Sequence, residues 1–414
     1  VYARLQKYAK EHAPIRVALV GAGSMGRGIA WQLRAAPGME LTFICDRDQQ
    51  AAQAASRSYM NEGTSEPTLG GDLDSIAAAL DQFDVLVEAT NSIGFAAEAC
   101  ELALRHQKHV VLMNAEVDLA LGPWLHELAA ANGVVLTSDA GDQHGVLVRM
   151  MDEIRLWAFR PVMAGNIKGF LNRYATPASL EHEAKIRRLN PVQCCAYTDG
   201  TKLSVEMALV ANATGMLPQL PGMQGPVADD GVEVLHKFDF SVYPDHGVVD
   251  YILGARPGGG VFVVGHCDAP EQTPYLQYYK LGDGPFYLFY RPYHLCHLET
   301  PWAIASAVLD QEAILSPSVG RVADVYAYAK RDLQAGDPIE HAIGGSACYG
   351  MIDRCVDADG KRQVPIAMLE SGAGESLPAV RRAITRDAPL SWDDLELPSS
   401  KLFERFRKSI LPVS

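Results

Sequence analysis

Residues 15–26, Ile-Arg-Val-Ala-Leu-Val-Gly-Ala-Gly-Ser-Met-Gly, pass from a short apolar β-type run into Gly21-x-Gly23-x-x-Gly26 and then into helix-forming sequence. Each glycine has a physical task in that order. Gly21 permits a tight strand-to-helix turn, Gly23 lets the backbone approach a pyrophosphate, and Gly26 allows the next helix to pack closely on the sheet. Ser24 and Met25 then open the helix, whose free N–H groups attract an anion. About twenty residues later a second apolar run, Leu41-Thr-Phe-Ile-Cys45, ends at Asp46, where an acid accepts hydrogen bonds from an adenosine ribose. The charge of Asp46 repels a 2′-phosphate and favours NAD(H). Arg47 beside it could instead reach such a phosphate, as NADP(H) would require.

Strand and helix signals alternate through the first third of the chain, as a doubly wound α/β sheet requires. The pattern predicts helix over 47–59, strand over 84–90, helix over 93–106 and strand over 109–113. Helix over 119–131, closed by Gly133, and strand over 134–137 follow. Ligands of open α/β sheets lie at the carboxyl ends of the strands. That rule draws attention to Thr90-Asn91, to Asn114-Ala-Glu116 and to Asp139-Ala-Gly-Asp142. Acids at such places could share a proton, bind a divalent metal or orient lysines, or could simply cap helices.

Composition narrows the class. The chain has 414 residues, 48% hydrophobic, enough for two or three cored domains, and its net charge of −14 disfavours nucleic acid or an anionic membrane as partner. No apolar run has the length of a membrane span, and the charged first fifteen residues lack a signal-peptide core, so a cytoplasmic location is expected. The eight cysteines are scattered without a C-x-x-C pair, which suggests reduced thiols and no disulfide framework. His294-Leu-Cys296-His297 lacks a recognisable zinc spacing and reads as structural, so no metal ligand is assigned from the sequence, although a divalent ion is left open. Between Arg155 and Lys202 lie eight Lys/Arg (155, 160, 168, 173, 185, 187, 188, 202) and three acids, a local charge of +5 that fits either a solvated helix or an anionic-substrate site.

The texture changes after the first domain. Residues 1–154 read as the dinucleotide-binding domain, 155–300 as a mixed α+β domain rich in Gly and Pro, and 320–414 as a third, small β-rich unit beyond the Ser316-Pro317 break. A helix over 301–315 is expected to return to the first domain. Asn166 and Lys168 read as a glycine-flanked loop after a strand. A lysine there can polarise a carbonyl, pair with an anion or exchange a proton. Lys202 and Glu206, four apart on a helix ending at Gly215, share one face. That spacing suits a surface ion pair, but the surrounding apolar sequence suggests a buried, functional one.

Taken together, Gly21–Gly26, Met113-Asn-Ala-Glu-Val-Asp118, Gly141-Asp142, Asp199-Gly-Thr-Lys202, Asn212-Ala-Thr-Gly215, Gly247-Val-Val-Asp-Tyr251, Gly260-Val-Phe-Val-Val264 and Arg291-Pro-Tyr-His294 resemble the 1-deoxy-D-xylulose-5-phosphate reductoisomerase-like (DRL) oxidoreductases. These are related in turn to homoserine dehydrogenases. The similarity runs across essentially the whole chain and includes a C-terminal SAF-like module. It implies a Rossmann-type first domain, a middle domain that supplies catalytic groups and the contact of a homodimer, and an NAD(P)-dependent reaction, with NADPH used by relatives. The chain departs from the family pattern at 142–145 and around 166–170, which leaves the substrate open.

The expected chemistry is hydride transfer with a small, anionic (phosphorylated or carboxylated) hydroxy or carbonyl compound, with the carbon-skeleton rearrangement of reductoisomerases left open. Lys168 and Lys202 would stabilise alkoxide or enolate charge and move the proton, oriented by Glu116, Asp142 and Glu206. Gly21, Gly23, Ser24, Met25, Gly26, Asp46, Arg47, Thr90, Asn91 and Asn114 would hold the cofactor, and Asn166, Asp199 and Asn212 would contact substrate. The C-terminal module would cover the site and add no catalytic group. Alcohol oxidation without rearrangement, as in homoserine dehydrogenases, and a cofactor-binding sensor without turnover are the alternatives.

Overall fold

The structure is a computed structural model that describes residues 1–187, 189–372, 375–398 and 400–410; Arg188 of the basic stretch lies outside them. The strand at Ile15–Val20 (β1) pairs in parallel with Met39–Cys45 (β2) on one side and Val85–Glu88 (β4) on the other. Thr68–Gly70 (β3), His109–Leu112 (β5) and Leu136–Ser138 (β6) complete a six-stranded parallel sheet of order β3-β2-β1-β4-β5-β6. The order reverses between β1 and β4, so their carboxyl ends frame the crevice of a Rossmann-type α/β fold. All four residues of β4 are buried, as a parallel strand covered on both faces demands.

The predicted elements recur with shifts that have local causes. Asp48 caps the helix Gln49–Tyr59, accepting from the backbone N–H of Gln50 and Ala51, so that helix starts two residues later than predicted. Asn114 caps the helix Ala115–Ala131 through the N–H of Val117 at 3.3 Å, and this helix starts four residues earlier than predicted. Glu116 therefore sits in a helical first turn, where the helix dipole favours an acid. Strand β3 escaped notice because three edge residues carry too little periodicity.

A second, mixed sheet has the order β10-β9-β7-β8, formed by Arg160–Lys168 (β7), Val248–Leu253 (β8), Val261–His266 (β9) and Phe286–Arg291 (β10). Asn166 and Lys168 lie within β7, which corrects the expected loop, and their separation of two places both on one face. Helix Thr201–Thr214 is buried along nearly its whole length and opens and closes on left-handed glycines, Gly200 at φ +89° and Gly215 at φ +81°. The returning helix begins earlier than expected, at Cys296, and runs to Ala305 against helix Ser24–Ala35, where His297 fills the space above Gly28.

Beyond residue 320 the antiparallel pair Ala323–Ala329 (β11) and Cys348–Arg354 (β12) packs on helix Thr201–Thr214. Val325, Ile352 and Val364 join Leu203, Met207 and Val210 in one apolar cluster, so the third unit shares its core with the second. All eight cysteines are unpaired. Among the described residues, no helix is long and apolar enough to cross a membrane.

Candidate active site

The fingerprint turn has the geometry its glycines imply. Gly21 has φ +94°, and a Cβ there would strike the backbone of Ala89 and Thr90 at the end of β4. A Cβ on Gly26 would run into the Gly21 carbonyl, whereas around Gly23 there is open space on the side where a ligand backbone could approach. Asp46 accepts the Ala22 N–H at 2.7 Å, so its carboxylate is fixed against the turn at the tip of β2, with Arg47 exposed beside it. A glycine bend, a helix N-terminus and an acid at the second strand fit a nicotinamide dinucleotide.

A cleft of about 210 Å³ opens in front of this turn. Gly23, Ser24, Met25, Thr90, Asn91 and Asn114 line it on the sheet side, and Glu116, Asp142, Tyr197, Lys202 and Cys296 on the other. The Nζ of Lys202 lies 2.5 Å from Glu116 Oε1 and 5.3 Å from the centroid of the Tyr197 ring. Burial alone would lower the pKa of Lys202, but Glu116, Tyr197 and Asp142 together outweigh it and the net shift is upward, so the lysine stays cationic. Burial also works to raise the Asp142 pKa, and the facing His144, His294 and Lys202 reverse this and hold it below the ordinary carboxylate value.

Behind the cleft wall lies a second buried group. Asn166 Nδ2 donates to Glu206 Oε2 at 3.1 Å, and Lys168 Nζ stands 3.9 Å from the same oxygen. With its amide oriented to satisfy both ends, Gln143 donates to Glu206 at 2.8 Å and accepts from Lys168 at 3.3 Å. Burial pushes the Glu206 carboxyl up to about 7 despite the opposing charge of Lys168, which suits a group that exchanges protons near neutrality. Lys202 and Glu206 thus share a helix face, as their spacing implies, but each pairs with a different partner. Among the described residues of the basic stretch, only Lys168 and Lys202 turn inward. Arg155, Arg160, Arg173, Lys185 and Arg187 are exposed.

Two expected substrate contacts are corrected. Asp199 turns away from the cleft into a buried ion pair with Lys330 Nζ at 2.9 Å, and it accepts the Thr201 N–H at 2.9 Å. Asn212 Oδ1 accepts the N–H groups of Val322 and Ala323 at 2.9 and 3.0 Å, which ties the helix to the start of β11. Both polar groups are consumed in holding the third unit in place. Gly21, Gly26, Asp46 and Arg47 shape or flank the turn without lining the cleft.

Several residues of the site were not identified in the sequence. His341, Ile343 and Glu370 of the third unit line the cleft, and Glu370 accepts the Ile343 N–H at 2.6 Å while burial raises its carboxyl to about 7. Gln143 and Tyr197 carried no motif. Beneath the crevice, Asp139 is fully buried with Oδ2 accepting the Gly141 N–H at 2.8 Å and Oδ1 without a hydrogen-bond partner among the described residues, and burial raises it to about 7. Because its folded pKa exceeds the unfolded value of about 4, ionising Asp139 disfavours the fold. Wild-type stability is penalised progressively from about pH 4 to 7 and by a constant amount above. Asp139→Asn should therefore gain on wild type across that window by up to about 1 kcal/mol per pH unit. Urea midpoints at pH 5 and pH 8 test this; an equal or shrinking gap at pH 8 would reject the assignment.

Residues 21–138 match the family model for the homoserine dehydrogenase NAD-binding domain, and residues 141–300 match that for the catalytic domain of oxidoreductase DRL. A glycosyl hydrolase family 109 protein of Streptomyces coelicolor (strain ATCC BAA-471 / A3(2) / M145) is 32% identical over 103 residues, which span 24% of this chain and 22% of that protein's length. GenD2 from gentamicin A biosynthesis, solved in complex with NAD, aligns over 74% of this chain and 90% of its own with 13% identity and a TM-score of 0.41. A putative NADPH-dependent oxidoreductase from Desulfitobacterium hafniense DCB-2 aligns over 86% and 98% with 13% identity and a TM-score of 0.44. The 1-deoxy-D-xylulose 5-phosphate reductoisomerase from Zymomonas mobilis, in complex with NADPH, aligns over 47% and 57% with 16% identity and a TM-score of 0.35.

Proposed function

We propose that this chain, an NAD(P)-dependent oxidoreductase with a homoserine-dehydrogenase-type NAD-binding domain and a DRL catalytic domain, acts on a small anionic hydroxy or carbonyl compound held against Lys202. The observation that carries this reading is the Lys202–Glu116 ion pair in the cleft wall facing the fingerprint turn. Gly23, Ser24, Met25, Thr90, Asn91 and Asn114 would hold the nicotinamide cofactor, which would supply hydride chemistry when bound. Lys202 keeps its charge beside the substrate oxygen and stabilises the alkoxide or enolate that develops there. Glu116 orients Lys202, and Asp142 adds a second carboxylate to the same wall. The Lys168–Glu206–Gln143–Asn166 group moves the proton, with Glu206 poised near neutrality to exchange it.

A screen of sugar phosphates, polyols and hydroxy acids that follows absorbance of the reduced cofactor tests the proposal. Turnover confined to neutral substrates would remove the anionic assignment. Product analysis separates a rearranging reduction from plain alcohol oxidation, because only the former alters the carbon skeleton. Asp46 at the turn supports NAD(H) as the working cofactor. Fluorescence titration should give at least tenfold tighter binding of NADH than NADPH, and the reverse order would overturn this use of Asp46. The domain division at 154, 300 and 320, the SAF-like third unit, the cytoplasmic location and a homodimer through the middle domain belong to the same proposal. The exposed Tyr275, Tyr278 and Tyr279 of that domain supply apolar surface for the contact. Sedimentation velocity would measure it.

A further inference from the structure

We propose that Asp142, His294 and Cys296 form a three-ligand zinc site in the wall of the cleft. One donor atom from each side chain lies within 4.8 Å of the other two, and Cys296 Sγ stands 3.9 Å from Asp142 Oδ1. Donors around one tetrahedral zinc, with bonds of about 2.0–2.3 Å, stand about 3.3–3.8 Å apart. Small rotations of the three side chains close the difference.

The surroundings of His294 support the same conclusion independently. Its Nδ1 lies 2.7 Å from the Gly259 carbonyl, a contact that only a protonated Nδ1 can make as a donor. With Nδ1–H committed to that carbonyl, Nε2 is the nitrogen left to bind a metal. An imidazole whose other nitrogen donates to a backbone carbonyl is the arrangement that fixes tautomer and orientation in metal-binding histidines.

The backbone is also built for the approach. A Cβ on Gly141 would collide with the carbonyls of Leu295 and Cys296, so only glycine lets the Asp142 segment come this close to the start of helix Cys296–Ala305. That helix is held in place by Glu299, which pairs with Arg291 at 2.5 Å and also with Arg149 of the helix that Asp142 caps. Thiolate, imidazole and carboxylate together suit zinc better than magnesium or calcium, which prefer oxygen alone. Two of the three ligands, Asp142 and Cys296, line the cleft while His294 lies behind them, so a fourth coordination position is left on the cleft side, as in catalytic sites, whereas structural zinc is closed by four. A cation there would add Lewis-acid polarisation of a substrate oxygen to the charge of Lys202. This use in turnover rests on the reading of the cleft given above, but the binding of zinc does not.

The test uses the untagged full-length protein, stripped with a chelator and dialysed. Calorimetric titration should show one equivalent of zinc. Cobalt(II), used as a spectroscopic substitute, should give a thiolate-to-cobalt charge-transfer band. Cys296→Ser should abolish that band and weaken zinc binding at least tenfold, and His294→Gln should weaken it comparably, while His297→Ala should leave both signals unchanged. Should Cys296→Ser fail to fold, alkylation of wild-type Cys296 followed by mass spectrometry serves instead, with zinc expected to protect the thiol. Uptake below about 0.2 equivalent, a cobalt spectrum without the thiolate band, or alkylation unaffected by zinc would each overturn the site. NADH binding measured on the same samples reports the cofactor cleft separately, so the two proposals fail distinguishably.

Discussion

Lys202→Met is expected to lower kcat by about a hundredfold or more while NADH affinity barely changes. Among the described residues, Lys202 is the cation of the cleft wall, and Glu116 together with Tyr197 and Asp142 keeps it charged despite burial. A fixed charge aimed at an oxygen that becomes negative only during reaction stabilises the transition state more than the ground state. Removing one such donor costs about 3–4 kcal/mol, which is a loss in kcat more than in KM. The substitution also strands Glu116, whose side chain is only 10% exposed, so folding must be controlled. The double variant Lys202→Met/Glu116→Gln removes the stranded charge and should recover stability without recovering turnover. Near-normal kcat in either variant, measured with the substrate found in the screen, would make this lysine a packing element and move the site elsewhere.

Lys330→Met should destabilise the protein by about 3–5 kcal/mol. The Nζ of Lys330 donates to Asp199 at 2.9 Å and to the carbonyls of Ala175 and Gly345 at 2.8 and 2.7 Å, and the side chains of the ion pair are 2% and 0% exposed. Burial raises the Asp199 pKa, and Lys330 is the main group opposing that rise. Without the lysine, the buried Asp199 carboxylate loses its counter-charge and keeps only the Thr201 N–H and the weak Cys195 thiol, which the two carbonyls would then share. Lys330→Met/Asp199→Asn should regain much of the loss, because the penalty is the unpaired charge more than the missing attraction. Urea unfolding at pH 7 reads both variants. A change under about 1 kcal/mol in the single variant would mean that water reaches the pair. Because the pair joins the second unit to the third, limited proteolysis should first release fragments from beyond residue 320.

Lys202 and Lys330 look very different in the sequence. Lys202 stands in a motif, Asp199-Gly-Thr-Lys202, on a helix too apolar to be a surface element, and that contradiction between charge and neighbours made it legible. Lys330 ends an apolar strand at a surface-like Lys-Arg-Asp run and carries no such signal. Its partner, Asp199, looked like a substrate contact because it belongs to the same motif as Lys202. Only the docking of β11 against the helix showed that one residue of the motif faces the cleft and another faces the third unit.

What the sequence determined by itself was local. The glycine fingerprint and the apolar strands are short-range effects of backbone freedom and burial, and they were enough for the parallel sheet, apart from its edge strand β3, and for the cofactor turn; the caps at Asp48 and Asn114, which set the helix starts, were not legible there. Helical spacing likewise put Lys202 and Glu206 on one face. Tertiary structure decided which ions pair. It gave Lys202 to Glu116 and Glu206 to Lys168, spent Asp199 and Asn212 on the third unit, and brought His294 and Cys296 to Asp142 from more than 150 positions away in the chain. It also brought His341, Ile343 and Glu370 into the cleft. The physical reason is that charge pairing and ligand geometry depend on distance in space and on local burial, and neither quantity follows from spacing once the contacts join different elements of the chain.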